Sequence, residues 1–212
     1  MRSQGPPLAT RGVPLKFVRS AIVVATAALV PFVPTAAQAA AYGHTDATGD
    51  LHSVASDSQG KVTDTTSTAE PTATLGDVTS VRAVNRARYV KVVMHFVDLH
   101  PAGIFQVHEV MIATRSKARV AMVAAYPGRW GGKAMLRTLS GKKVACSVSH
   151  NISYAKKKVV IKVPQSCLGH AKVVKVGAAT LIADGSKIFY DDAYTAGGEF
   201  TDPFVLSPRI HR

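Results

Sequence analysis

The chain has 212 residues, and its 26 basic residues against 13 acidic ones give a net charge of +13. This length fits one ordinary domain behind a short leader, and two cysteines exclude a scaffold held by several disulfides. After residue 39, no apolar run free of charges reaches the ~20 residues that span a bilayer. The composition therefore argues against a membrane-spanning protein and against a disulfide-dense one.

The first 39 residues predict a cleaved signal peptide. Four bases and no acid come first, the apolar stretch 21–33 follows, and Ala37-Gln38-Ala39 offers the small residues that signal peptidases accept. A membrane anchor is the alternative, but the apolar stretch is short for a bilayer. We expect cleavage after Ala39, no membrane span after processing, and a secreted, extracellular or cell-envelope location.

Residues 40–77 predict an acidic polar lead segment with a flexible linker. Six acids and a single base, Lys61, lie in it, and residues 57–74 are dominated by Ser, Thr, Asp, Gly and Ala. Two similar stretches bracket this linker, Gly49-Asp50-Leu51 and Gly76-Asp77-Val78, and each is followed by x-Ser-Val. We expect both to be turns that lead into strands.

Residues 78–212 predict a basic β-sandwich domain with 21 bases and seven acids. Apolar residues alternate with Lys, Val and His along 90–96 and along 158–163, which is the period of a strand with one buried face. Turn residues separate such runs. The predicted strands are 78–84, 89–97, 104–113, 118–125, 133–139, 143–149, 157–163, 172–176, 179–183 and 188–191. This pattern favours an all-β fold, an antiparallel β-sandwich of jelly-roll type.

Cys146 and Cys167 predict one disulfide, because an exported chain meets an oxidising compartment. The bridge would close a loop of about 21 residues and stabilise the fold by roughly 3 kcal/mol. Two free buried thiols are the alternative. We expect the bridge to tie the first strand of a hairpin to the exit of the second.

The layout resembles small secreted β-sandwich proteins of actinobacteria, a group without an assigned activity. The residues that carry the resemblance span most of the chain after residue 39: Gly76-Asp77-Val78, Phe96-Val97-Asp98-Leu99, Trp130-Gly131-Gly132, Cys146, Pro164-Gln165-Ser166-Cys167-Leu168-Gly169, Tyr190-Asp191-Asp192 and Leu206-Ser207-Pro208-Arg209. The Gly-Asp start and the all-β pattern are also similar, more distantly, to DOMON and carbohydrate-binding sandwiches. The resemblance implies a fold and transfers no catalytic residue.

Five aspartates predict a calcium site: Asp46, Asp50, Asp77, Asp191 and Asp192. Carboxylate oxygens are the hard donors that Ca²⁺ prefers. The Gly-Asp turns precede strands and Asp191-Asp192 follows one, so we expect edge loops of the sandwich to gather these aspartates. The alternative is turn chemistry, in which each aspartate accepts hydrogen bonds from its local backbone.

A second candidate site surrounds the single tryptophan. Trp130 lies among glycines with Arg129, Lys133 and Tyr126 nearby, an arrangement that suits stacking on a sugar ring beside an anionic group. The alternative is a buried tryptophan that anchors the loop. A third candidate is a basic stripe formed by Lys156–Lys158 with Lys142, Lys143, Lys172 and Lys175; the alternative is a solvated face or a guarded sheet edge.

No specific catalytic motif is present, so the sequence favours a non-catalytic binding or structural module. Its cationic domain would contact an anionic cell-envelope polymer or a glycan, with no specific nucleic acid as partner and with a monomeric state. Two alternatives stay open. One is a calcium-stabilised sugar-binding or adhesion module, and the other is a small hydrolase in which Asp191, Asp192 and a histidine share a pocket.

Overall fold

Valine-rich alternation dominates the chain after residue 77, and it produces extended strands rather than helices. The computed structural model describes residues 41–195 and 204–212, so the predicted signal peptide, residues 1–39, lies outside the described residues. The first eight strands are β1 (Ala41–Thr45), β2 (His52–Ser56), β3 (Val62–Ala69), β4 (Val78–Asn85), β5 (Tyr89–Phe96), β6 (Phe105–Ala113), β7 (Ala118–Tyr126) and β8 (Arg129–Thr138). The others are β9 (Lys143–Val144), β10 (Ser149–Ser153), β11 (Lys158–Pro164), β12 (Val173–Ala183), β13 (Lys187–Asp192) and β14 (Ile210–His211).

The strands form two antiparallel sheets. One has five strands in the order β1-β4-β5-β11-β10. The other has nine strands: eight follow the order β3-β2-β13-β12-β6-β7-β8-β9, and β14 pairs with the start of β12. The only helical pieces among the described residues are two 3₁₀ turns, Tyr154–Lys156 and Gln165–Leu168. The expected all-β antiparallel sandwich is confirmed.

The core lies between the two sheets and is built from the inward positions of both. Val90, Val92 and Met94 of β5 are fully buried, as are Val110 and Ile112 of β6, and all belong to one cluster. Each residue between two such positions points to the opposite side of its sheet. The alternation that predicted the strands therefore also decides which side chains reach the outer surfaces.

The structure differs from the predicted polar linker over residues 57–74. Residues 62–69 form β3, which pairs with β2 at the edge of the nine-stranded sheet, and β1 pairs with β4 in the other sheet. All eight side chains of β3 are exposed, so no apolar face marks the strand. Its four threonines favour extended backbone, and hydrogen bonds to β2 complete it. The acidic lead segment thus contributes to both sheets.

The predicted disulfide is present and joins Cys146 to Cys167, with their Cα atoms 6.1 Å apart. Cys146 lies in the segment that crosses from β9 in one sheet to β10 in the other, and Cys167 lies in the 3₁₀ turn after β11. Nearby, the buried Gln165 donates a hydrogen bond from Nε2 to Asn85 Oδ1 at 2.7 Å. Asn85 in turn donates from Nδ2 to the Ile210 carbonyl, which fixes β14 near this end of the sandwich.

Candidate functional site

Three of the five candidate calcium ligands, Asp50, Asp77 and Asp191, lie close together at one end of the sandwich, and Asp46 is near enough to feel the charges of its neighbours. Asp46 follows β1, Asp50 precedes β2, and Asp77 precedes β4. Asp191 is the second-last residue of β13. Carboxylate oxygens of Asp50, Asp77 and Asp191 all lie within 4.8 Å of one another. The cluster therefore joins segments that belong to both sheets.

The two similar Gly-Asp stretches build this cluster. Gly49 and Gly76 have positive φ angles of 77° and 89°, a conformation that glycine adopts without strain. The Gly49 amide donates a 2.7 Å hydrogen bond to Asp77 Oδ2, so the first stretch holds the aspartate of the second. Both stretches then enter strands, β2 and β4, as the sequence predicted.

Backbone amides hold one carboxylate oxygen each of Asp46, Asp77 and Asp191. Val78 donates a 2.7 Å hydrogen bond to Asp191 Oδ2, as Gly49 does to Asp77 Oδ2. The second oxygen of Asp77, Oδ1, is buried and accepts no hydrogen bond from the described residues. Asp46 Oδ2 is also buried and accepts no hydrogen bond from the described residues, while Asp46 Oδ1 accepts a hydrogen bond from the Ala47 amide.

The carboxyl groups of Asp46, Asp77 and Asp191 have raised pKa values. Burial and the neighbouring negative charges of Asp46, Asp50 and Asp77 raise the pKa of Asp191 to about 8. Burial, followed by the charge of Asp50, raises the pKa of Asp46 to about 7. Burial also raises the pKa of Asp77. Among the described residues, no basic side chain forms an ion pair with Asp46, Asp77 or Asp191.

Asp192, the fifth candidate ligand, serves a different structural role. Its Oδ1 accepts a hydrogen bond from the Tyr194 amide, and its Oδ2 accepts one from the Val205 amide, both at 3.2 Å. Its side chain is buried, like that of Asp191. Asp192 therefore holds the chain after β13 and borders the cluster of the other four aspartates.

The tryptophan group is divided between two sides of one hairpin. Tyr126 ends β7 and pairs with Arg129 at the start of β8; both side chains are exposed, and so is that of Lys133. Trp130 is half-buried and lies on the opposite side of β8 by strand alternation. Its carbonyl accepts a 2.8 Å hydrogen bond from the Tyr154 hydroxyl, which links β8 to the five-stranded sheet.

A cationic surface covers the outer side of the five-stranded sheet. None of its five strands contains an aspartate or glutamate, whereas β3, β6 and β13 of the other sheet contain four. Four bases occupy outward positions, and we call this surface the cationic face: Arg82 of β4, Lys91 of β5, and Lys158 and Lys162 of β11. Of the predicted basic stripe, only Lys158 belongs to it, because Lys143 and Lys175 lie in the nine-stranded sheet.

The cationic face places like charges side by side. Lys91 and Lys162 are direct partners across β5 and β11, and Lys158 is the partner of His95. Like charges directly opposite each other destabilise a sheet. Among the described residues, no carboxylate lies within 4.0 Å of these bases, and the Lys162 ammonium lies 5.7 Å from the Tyr89 ring centre. Arg82 was absent from the predicted stripe, although its alternation with Val81 and Ala83 could have indicated it.

A groove opens beside the aspartates on the nine-stranded sheet. Asp191 and Asp192 line it together with Glu109 and several apolar side chains of β6, β7 and β12. No histidine is among the described residues that line it. His108, the nearest in sequence to Glu109, is fully buried between the sheets against Thr180 and Phe96. The hydrolase alternative therefore meets only the aspartate half of its requirement.

Comparison with known proteins adds no neighbour: no family model, no curated protein and no solved structure matches the chain. Within residues 41–195 and 204–212, no helix is long and apolar enough to cross a membrane.

Proposed function

We propose that this protein is an exported, non-catalytic binding module whose cationic face contacts an anionic polymer of the cell envelope. The observation that carries the proposal is the concentration of Arg82, Lys91, Lys158 and Lys162 on a sheet whose strands contain no acid. An uncompensated set of charges attracts polyanions over a range set by the ionic strength.

The dimensions of the cationic face suit a linear polymer with repeated charges. Lys158 and Lys162 are four residues apart on β11, so their Cα atoms lie roughly 13 Å apart along the strand. Arg82, Lys91 and Lys162 occupy three neighbouring strands, which gives a width of roughly 10 Å. A chain of phosphates or carboxylates can meet several of these bases at once, whereas a small anion can meet only one or two.

Like-charge repulsion within the sheet supports a binding role over a purely solubilising one. Solubility needs only a net charge, which bases on any surface supply. Placing Lys91 opposite Lys162 instead costs stability, and an anionic ligand between the two ammonium groups removes that cost. The pairing of Lys91 with Lys162 therefore favours an anion-binding role over a solubilising role.

Binding to an immobilised glycerol-phosphate polymer, with a neutral glucan as a second matrix, tests the proposal. We expect retention on the phosphate polymer at low salt and release as the salt concentration rises. In Lys91→Gln/Lys162→Gln, two charges worth about 1 kcal/mol each at an anionic surface are lost, so Kd rises roughly thirtyfold.

Lys142→Gln/Lys143→Gln is the matched control, because it removes the same charge next to β9 on the other sheet. We expect its Kd to stay within about twofold of wild type, since those bases lie outside the cationic face. Equal weakening of both double variants would show that net charge alone drives binding. Equal retention on the neutral glucan would refute the electrostatic mechanism.

A further inference from the structure

We propose that Asp46, Asp50, Asp77 and Asp191 form a calcium site that ties the two sheets together at one end of the sandwich. The site is independent of the cationic face, which lies on the outer side of the five-stranded sheet.

The donor arrangement already resembles part of a coordination shell. Oxygens of Asp50, Asp77 and Asp191 lie within 4.8 Å of one another. Two oxygens that each lie 2.3–2.6 Å from one Ca²⁺ ion can be no more than about 5 Å apart, so a single ion can contact all three. Asp46 borders this trio closely enough for the charges of Asp50, Asp192 and Asp77 to act on it.

Two buried oxygens in the cluster point to a missing partner. Asp77 is 1% exposed and Asp46 is 7% exposed, yet Asp77 Oδ1 and Asp46 Oδ2 accept no hydrogen bond from the described residues. Buried polar atoms almost always have a partner, and a buried oxygen without one is costly. The amides of Gly49 and Ala47 occupy the other oxygens, so Oδ1 of Asp77 and Oδ2 of Asp46 are the ones left for an ion.

The described part of the chain places no paired base beside Asp46, Asp77 or Asp191. No lysine, arginine or histidine among the described residues pairs with Asp46, Asp77 or Asp191, although the chain carries twice as many bases as acids. Buried charges persist in proteins when they are paired or bind a metal. A divalent cation is the partner that satisfies several close carboxylates together.

The chemistry of the donors selects a hard cation. The trio contains no cysteine or histidine, which disfavours zinc and copper. The aspartates come from the β1–β2 connection, from the turn before β4 and from β13, and such separate segments favour the adaptable shell of Ca²⁺ over the strict octahedron of Mg²⁺. Because β1 and β4 belong to one sheet and β2 and β13 to the other, a bound ion would hold both sheets.

Calorimetric titration of CaCl₂ and MgCl₂ into the chelator-treated protein tests the site, together with thermal unfolding in Ca²⁺ or in EDTA. We expect one Ca²⁺ per chain. At a free Ca²⁺ concentration about 100 times Kd, the unfolding constant falls about 100-fold and Tm rises by about 5–10 °C. Asp77→Asn keeps an acceptor for the Gly49 amide but removes the charge, so it should weaken Ca²⁺ binding at least about tenfold and abolish the shift in Tm.

Asp50→Asn provides a second test if Asp77→Asn does not fold. Asp64→Asn is the control, because Asp64 is exposed on β3 and its carboxylate accepts hydrogen bonds from Thr66. The control should bind Ca²⁺ as wild type does. The proposal is overturned if Tm is the same in Ca²⁺ and EDTA, or if Asp77→Asn and Asp50→Asn retain the full shift. A Mg²⁺ shift as large as that of Ca²⁺ at equal concentration overturns the assignment of the ion.

Discussion

His108 makes a specific prediction about acid stability. It is fully buried between the sheets, where its Nδ1 lies 3.1 Å from Thr180 Oγ1 and its ring packs edge-on against Phe96. Burial lowers its pKa from 6.5 to about 3, so the folded protein keeps it neutral at pH values where the unfolded chain protonates it. Because the unfolded state binds the extra proton, stability is lost as pH falls below 6.5.

The expected loss follows from the two pKa values. Between pH 7.5 and pH 4.5, this single group costs about 2.7 kcal/mol, since each pH unit below 6.5 contributes about 1.4 kcal/mol. His108→Leu removes the titrating group and leaves Thr180 Oγ1 near the Val107 carbonyl, at 3.4 Å. The raised pKa values of Asp46 and Asp191 act in the opposite direction, but they are present in both proteins and cancel in the comparison.

Urea unfolding at pH 7.5 and pH 4.5 measures this difference. Wild type should lose about 2.7 kcal/mol more than His108→Leu on acidification. His95→Leu is the control, because His95 is exposed on the outer side of β5 and its replacement should leave the wild-type pH dependence unchanged. If wild type and His108→Leu lose the same free energy, the buried neutral histidine is refuted.

Three further predictions concern stability. Gly103 and Gly128 have similar φ angles of 77° and 80°, but an added methyl group would overlap the Ala183 carbonyl at Gly103 and would meet nothing within 4 Å at Gly128. Urea unfolding should therefore show about 2 kcal/mol more loss of stability for Gly103→Ala than for Gly128→Ala, and equal losses would contradict the close approach. Cys146→Ser/Cys167→Ser should lower the free energy of unfolding by about 3 kcal/mol, and an unchanged value would show that the disulfide does not stabilise the fold. Lys91→Gln should raise stability by roughly 0.5 kcal/mol at low salt and not at high salt, and a gain independent of salt would rule out repulsion from Lys162.

The sheets could be predicted where one face of a strand is buried. The strand over residues 89–96 was predicted almost to the residue, because its valines alternate with polar outward positions. Residues 62–69 gave no such signal, since the edge strand β3 is exposed on both sides. Residues 172–176 and 179–183 were predicted as two strands but form one, β12. Gly177 reads as a break, yet in the strand it lets Phe204 and Val205 approach the backbone closely.

The candidate sites depended on contacts that no local pattern contains. Turn and strand-end positions singled out the aspartates, but Asp50 and Asp191 are 141 positions apart in the chain, and only the pairing of β13 with β2 and β12 brings such distant segments together. The hydrogen bonds that Asp192 accepts come from segments after β13, which the sequence alone does not align. Of the four bases of the cationic face, the predicted stripe contained only Lys158, and Arg82 joins it only through the order β4-β5-β11.

Amide chemical-shift mapping during titration with a glycerol-phosphate polymer tests the cationic face most directly. At low salt, we predict that the largest shifts occur at Arg82, Lys91, Lys158, Lys162 and their neighbours on β4, β5 and β11, and that they diminish as salt is added. Shifts concentrated instead around Lys142 and Lys143, or around Arg129 and Lys133, would contradict the assignment of binding to the five-stranded sheet.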